Sequence, residues 1–238
     1  MKLFDVYPLY EVTPVKAKGV FVYDEKGKKY LDLYGGHAVI SIGHSHPHFV
    51  RKISRQLRRI AFYSNAGQNP LQEQLASSIG EQSCLHDFEL FLCSTGAEAI
   101  ESALKLSSFH TQRKKVIAFK GAFHGRTSAA VAVTDNISIN APINSQHEVT
   151  FLPFDDIEAL EKELASETYC AVIFESIQGV GGLDQPNDSF VIAMDSLCKK
   201  YGTTLIADEV QSGFGRSGTF FAYQKHPITP HIITMAKG

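Results

Sequence analysis

No stretch of this sequence approaches the length of a membrane span. The opening Met1-Lys2-Leu3-Phe4-Asp5-Val6-Tyr7-Pro8 lacks the apolar core of a secretion signal. Cysteine is sparse: Cys84, Cys93, Cys170 and Cys198 lie scattered with no Cys-x-x-Cys pair, which argues against a zinc knuckle and fits a reducing compartment. These absences together set the expectation of a cytoplasmic protein. Charge of one sign is also missing, since a formal net charge of −2 gives no general attraction to nucleic acid or to an anionic membrane. The string Gly-x-x-x-x-Gly-Lys-Ser/Thr does not occur. The apolar run ending in Asp208-Glu209 is therefore not read as the magnesium-holding strand of a P-loop ATPase.

What is present reads as an ordinary globular composition, 44% hydrophobic and 20% charged over 238 residues, enough for one large domain with or without a small appendage. The first third is irregular. Val20–Tyr23 and Tyr30–Leu33 flank the turn-forming Asp24-Glu25-Lys26-Gly27 and predict a hairpin, followed by a Gly- and His-rich loop and helices near 48–60 and 70–82. Arg51, Lys52, Arg55, Arg58 and Arg59 form a local basic stretch. Without interleaved aromatics it reads as a solvated helix face.

From residue 88 onward apolar runs alternate with amphipathic stretches. Strands are predicted at Phe88–Leu92, Lys115–Phe119, Val149–Leu152, Cys170–Phe174 and Thr204–Ala207, with helices from Thr95, near 155–165 and near 187–201. Continuous apolar strands separated by helices predict an α/β fold with a mainly parallel, helix-covered sheet, whose ligands bind beyond the carboxyl ends of the strands.

The loops at those ends carry the candidate chemistry. Thr95 and Glu98 have capping-box spacing, which leaves Gly96 and Ala97 in a helical first turn. Small residues there either let a phosphate reach the unpaired N–H groups or simply permit close packing on the sheet. Phe123 offers a ring to stack on a planar ligand and Arg126 a fork for a carboxylate, or they are a packed loop aromatic and a surface arginine. Gly179-Val180-Gly181-Gly182 fails as a dinucleotide fingerprint because Asp184 stands where the last glycine belongs. Asp208 at a strand end and Lys237 near the end of the sequence either pair by coincidence or are the two poles of a pyridoxal phosphate site, where the amine would take the aldehyde and the carboxylate would keep the ring nitrogen protonated. His37 and His44-Ser45-His46-Pro47-His48 offer a rival, a metal-dependent hydrolase, although Gly43 and Pro47 break the strand such a ligand pair needs.

Six segments in order resemble the class III aminotransferases of pyridoxal-phosphate fold type I, in particular the acetylornithine and succinylornithine branch. They are Leu31–Val39 with Gly43–Pro47, Ser94–Ala99, Ala122–Thr127, Gln178–Gly182, Asp208–Gly218 and Met235–Gly238. The resemblance implies a fold type I large domain over 61–238 and a small N-terminal α+β segment over 1–60. It implies pyridoxal 5′-phosphate as cofactor, bound by Gly96, Ala97, Phe123, Asp208, Gln211 and Lys237, with no metal. Lys237 and Asp208 would be catalytic and Arg126 would take the substrate carboxylate. The implied reaction moves the terminal amine of an N-acylated ornithine to 2-oxoglutarate, giving a semialdehyde and glutamate, in arginine biosynthesis. Ornithine, GABA or another omega-amine is the alternative donor. A homodimer is the expected full-length assembly, with no nucleic acid or membrane partner.

Two departures from the family pattern carry expectations. Val180 stands where relatives usually carry glutamate after Gln-Gly, so Arg126 is expected to be more freely cationic and N-succinylornithine to be favoured over N-acetylornithine. The family pattern continues past the lysine with the rest of the large domain, a threonine from the partner subunit and a small C-terminal domain. The sequence accordingly reads as an N-terminal fragment or an inactive truncated module, and little or no turnover is expected from the 238 residues alone.

Overall fold

The computed structural model describes residues 1–64 and 66–238, and the chain divides into two compact units, Met1–Asn69 and Pro70–Gly238. The first unit carries an antiparallel sheet of β1 (Pro14–Lys18), β2 (Phe21–Asp24) and β3 (Lys29–Leu31), in that order. The predicted hairpin is β2–β3, and β1 adds to its free side. Asp24 closes the turn because its Oδ1 accepts the Lys26 and Lys28 N–H groups at 2.9 and 2.8 Å. A short turn, α1 (Gly35–Ala38), runs through left-handed backbone and precedes α2 (Pro47–Leu57), whose Pro47 suits a first turn that has no use for its N–H. The basic side chains on and just after α2 are exposed, as a solvated face requires.

The second unit is a five-stranded sheet in order β5-β4-β6-β7-β8, every neighbour pair parallel. In chain order its elements are α3 (Pro70–Ser83), α4 (Gly96–Thr111), β4 (Lys115–Phe119), α5 (Ser128–Ala132), β5 (Val149–Leu152), α6 (Ile157–Leu164), β6 (Tyr169–Glu175), α7 (Asp188–Tyr201), β7 (Thr204–Glu209) and β8 (Ile232–Met235). The central strands β6 and β7 are buried along their whole length, which is why they read as continuous apolar runs. Alternation sorts their residues onto two cores. Ile117, Phe119, Val172, Phe174 and Leu205 pack with Leu160, Leu164, Phe190 and Met194 of α6 and α7. Val116, Ala118, Ala171, Ile173 and Ile206 pack with Ile100, Ala103, Leu104, Ala130 and Val133 from α4, α5 and the turn after it.

The helix boundaries follow from side-chain caps. Thr95, Asp156 and Asn187 each accept an N–H from the first turn of α4, α6 and α7, and left-handed Gln112 and Gly202 close α4 and α7. Arg113 then straps the lower edge of the sheet, its Nη1 donating to the carbonyls of Tyr201 at 2.8 Å and Gly202 at 3.1 Å.

One predicted strand is absent. Phe88–Leu92 has strand composition but pairs with no ladder, and Phe91 and Leu92 are exposed, because a β-strand is defined by a partner and none flanks this segment among the described residues. Conversely, β8 is not among the strands the apolar runs predict, yet it pairs with β7 from Ile206↔Ile232 to Glu209↔Met235 and draws β7 on through Asp208 and Glu209.

Phe174 is fully buried between these layers, so Phe174→Ala is expected to cost about 3–5 kcal/mol, read as a shift in the urea midpoint. The exposed Phe109→Ala is expected to change stability by less than about 0.5 kcal/mol.

Candidate functional site

The residues singled out between Gly96 and Lys237 all lie in the second unit, at the carboxyl ends of the parallel strands. The start of α4 supplies one wall. Thr95 Oγ1 accepts the Glu98 N–H at 3.1 Å, and Glu98 Oε2 reaches back one residue further than a standard capping box to the Ser94 N–H at 2.8 Å. Gly96 and Ala97 form the first turn, where backbone N–H groups have no intrahelical partner. A β-carbon at Gly96 would come within 2.7 Å of Val210 Cγ1 and 3.5 Å of Ala236 Cβ, so this helix start closes directly on the exit of β7 and on the residue before Lys237. The loop after β4 borders the same turn, since Gly125 lies against Ala97.

The centre is an ion pair. His124 Nδ1 sits 2.7 Å from Asp208 Oδ2, and both side chains are almost wholly buried. Asp208 Oδ1 takes the Val210 N–H at 3.0 Å and faces the Thr234 hydroxyl at 3.4 Å. Burial alone would pull the His124 imidazole down, but its hydrogen bond to Asp208, the Asp208 charge and the Glu175 charge together raise it above the ordinary histidine range. Nε2, the other nitrogen of the imidazole, is buried without a partner among the described residues.

Lys237 follows β8 with left-handed backbone (φ 51°) and is half-buried. Burial lowers its amine below the usual lysine range, against the opposing pull of Asp208 and Glu175. Arg216 ties its backbone to that of Gln211, donating from Nε to the Gln211 carbonyl at 2.7 Å and from Nη2 to the Lys237 carbonyl at 3.3 Å. Phe123 is half-buried, and its N–H donates to Glu175 Oε1 at 2.9 Å. Arg126 is exposed, two residues ahead of Ser128, where α5 begins.

The structure thus gathers Gly96, Ala97, Phe123, Asp208, Gln211 and Lys237 around one strand-end region, with Arg126 at its exposed margin. This donor set fits pyridoxal phosphate: an open helix start for a phosphate, an aromatic face, a buried anion for a ring nitrogen, and an amine with a depressed proton affinity. The histidines of the rival reading belong to the first unit. There His44 Nε2 is engaged by Asp32 Oδ2 at 2.7 Å, and no group of three or more His, Cys, Asp or Glu side chains is placed to hold a metal ion among the described residues.

Sequence reasoning passed over His124, Glu175 and Arg216. A signal for Glu175 existed, because the runs forming β6 and β7 both end in acids and the ladder sets Glu175 beside Asp208. Burial, reinforced by the nearby Asp208 charge, pushes the Glu175 carboxyl up to about 7, although His124 and two backbone N–H groups pull it down. A folded-state value above the ordinary 4.5 means the folded chain keeps a proton that the unfolded chain has released. The stabilisation is present below about 4.5 and lost as pH rises toward about 7, by up to about 3 kcal/mol. Glu175→Gln removes this dependence, so wild-type Tm is expected to fall relative to the variant as pH rises through that window. A constant difference would contradict the assignment.

Comparison with known proteins extends over nearly the whole chain. The acetylornithine aminotransferase of Halalkalibacterium halodurans is 39% identical over 99% of this chain, and that of Archaeoglobus fulgidus 41% over 99%. The chain spans 61% and 62% of the lengths of those two proteins. Among solved structures, ornithine aminotransferase from Toxoplasma gondii ME49 superposes with a TM-score of 0.90 at 28% identity, over 98% of this chain and 57% of that one. Taurine:2-oxoglutarate aminotransferase from Bifidobacterium kashiwanohense, in complex with PLP and glutamate, gives 0.90 at 26%, over 100% and 59%. Residues 6–238 match the family described as Aminotransferase class-III, and with the strand-end residues in this arrangement the chain belongs to that family.

Proposed function

We propose that this chain is the cofactor-binding part of a pyridoxal-phosphate aminotransferase whose amino donor is an N-acylated ornithine and whose acceptor is 2-oxoglutarate. In this reading residues 1–60 are an N-terminal segment and 61–238 the cofactor-binding domain, and the working assembly is a cytoplasmic homodimer. The observation that carries it is the buried His124–Asp208 pair in one site with the depressed amine of Lys237. The likeness to acetylornithine aminotransferases supports the choice of donor.

When bound, the cofactor supplies an aldehyde that takes up an amino group and a ring that accepts electrons from the carbon losing it. Asp208, oriented by its hydrogen bond to His124, would face the ring nitrogen and keep it protonated. The N–H groups of Gly96 and Ala97, at the positive end of α4, would hold the phosphate. Phe123 would cover one ring face, and Gln211 would approach the ring hydroxyl. The lowered proton affinity of Lys237 leaves more of its amine neutral at working pH, which suits it both to attack the aldehyde and to carry a proton between substrate and cofactor carbons. Arg126 would receive the substrate carboxylate. Val180 adds no opposing charge on the Gly179–Gly182 loop, where its side chain is largely exposed, so an acidic acyl tail meets no repulsion there.

Borohydride reduction of the chain mixed with pyridoxal phosphate is expected to leave one phosphopyridoxyl group on the peptide containing Lys237, water having been lost on imine formation and two hydrogens added on reduction. Lys237→Ala should abolish both the label and the long-wavelength absorbance. Equal labelling of the variant would refute the assignment. For the donor, a turnover-competent enzyme with valine at 180 is expected to show a higher kcat/KM with N-succinylornithine than with N-acetylornithine, and Val180→Glu should narrow the gap. A clear preference for the acetyl substrate with valine in place would remove the succinyl reading.

A further inference from the structure

We propose that Glu175 is a positioning residue that sets Phe123 and Gln211 relative to one another by clamping the two loops on which they depend. This rests on the functional reading above but on different atoms.

The clamp is visible at both carboxyl oxygens. Oε1 accepts the Phe123 N–H at 2.9 Å, from the loop after β4, and Oε2 accepts the Gly179 N–H at 3.3 Å, from the loop after β6 itself. Gly179 in turn bears on Gln211, because a β-carbon there would fall 1.4 Å from Gln211 Oε1. Any side chain at 179 would displace the Gln211 amide from this position. One side chain thus links the aromatic ring, through two backbones, to the glutamine in the loop after β7. Its length matters: an aspartate ends one methylene short of a carboxyl that must reach two loops.

The position is costly unless it serves such a purpose. Glu175 is 6% exposed and is paired in the ladder with Asp208, so two acidic side chains leave adjacent parallel strands at the same level. The groups that act electrostatically across this region are His124, Asp208, Lys237 and Arg216, and His124 is the one that relieves the Glu175 carboxylate. Glu209, next along β7 from Asp208, takes no part, since its two oxygens accept from Ser176, Ser212, Ala222 and Tyr223. Burying a second acid beside Asp208 would be unfavourable as mere packing, and an apolar residue of similar size would fill the space better. The two loop N–H groups are what the acid satisfies.

Amide hydrogen exchange on the 238-residue chain, without cofactor, tests the clamp. In Glu175→Ala the Phe123 and Gly179 amides are expected to exchange about tenfold faster or more, with Val172 and Leu205 unchanged. In Glu175→Gln, which keeps the shape and one acceptor, one of the two amides should be released and the other retained. Adding pyridoxal phosphate and recording the ellipticity of its long-wavelength band tests the positioning. The signal should fall by roughly half or more in Glu175→Ala and be partly restored in Glu175→Gln, because ring orientation depends on the shell that holds Phe123. Unchanged exchange at both amides overturns the clamp, as does acceleration spread over the whole sheet. Faster exchange with undiminished ellipticity overturns the positioning role. A wild-type chain with protected amides and no ellipticity overturns the functional reading and the positioning role with it, while the exchange data still decide the clamp.

Discussion

A carboxylate buried at the centre of the sheet governs this site. Asp208 is 5% exposed, at a depth where an unpaired anion would cost several kcal/mol. It persists because three neighbours meet its oxygens: the His124 imidazole, the Val210 N–H and the Thr234 hydroxyl. Each comes from a different place, the loop after β4, the loop after β7 and strand β8. Those three partners meet Asp208 only when these pieces are assembled, so the sheet order β4-β6-β7-β8 is a condition of the site.

The parallel arrangement explains why the remaining groups arrive at the same end. Every strand in this sheet runs the same way, so every following loop emerges on one side, and helix α4 points its N-terminal end at that side too. Close approach then depends on small residues. Gly96 meets Val210 and Ala236, and Gly125 meets Ala97, which brings the helix start against both the anion's strand and the lysine's segment. A larger side chain at either glycine would push the positive end of the helix away from the region it serves.

Much of this was legible in the sequence, for definite reasons. Strand β4 coincides with an apolar run, and β6 and β7 each contain one, because continuous burial leaves a continuous signal, and α4 and α7 begin beside Thr95 and Asn187 because a cap must be a residue able to accept an N–H. Lys237 and Asp208 were legible as chemical types and as matches to a family pattern. The ion pair was not, because His124 lies 84 positions from Asp208 and only the ladder brings them together. Phe88–Leu92 misled for the converse reason: its composition suits a strand, but pairing is a property of two segments and one segment cannot reveal it. Glu175 sat in plain view as the acid ending β6, yet its meaning depends on which backbone groups face it.

The contrast between Glu175 and Glu209 shows what those facing groups decide. Both are buried glutamates at the ends of adjacent central strands. Glu209 is surrounded by four donors, two hydroxyls and two backbone N–H groups, and holds the turn around Ala222 and Tyr223 to the sheet. Glu175 has two backbone donors and an anionic neighbour, so burial prevails and its carboxyl rises to about 7. The number of hydrogen-bond donors facing each carboxyl differs between these two because the backbone around them differs. A protonated carboxyl accepts poorly at its hydroxyl oxygen, so Glu175 holds both loops only while it is charged. The charge on His124 favours that state. The pair that anchors the site thereby also supports the side chain that holds its walls together.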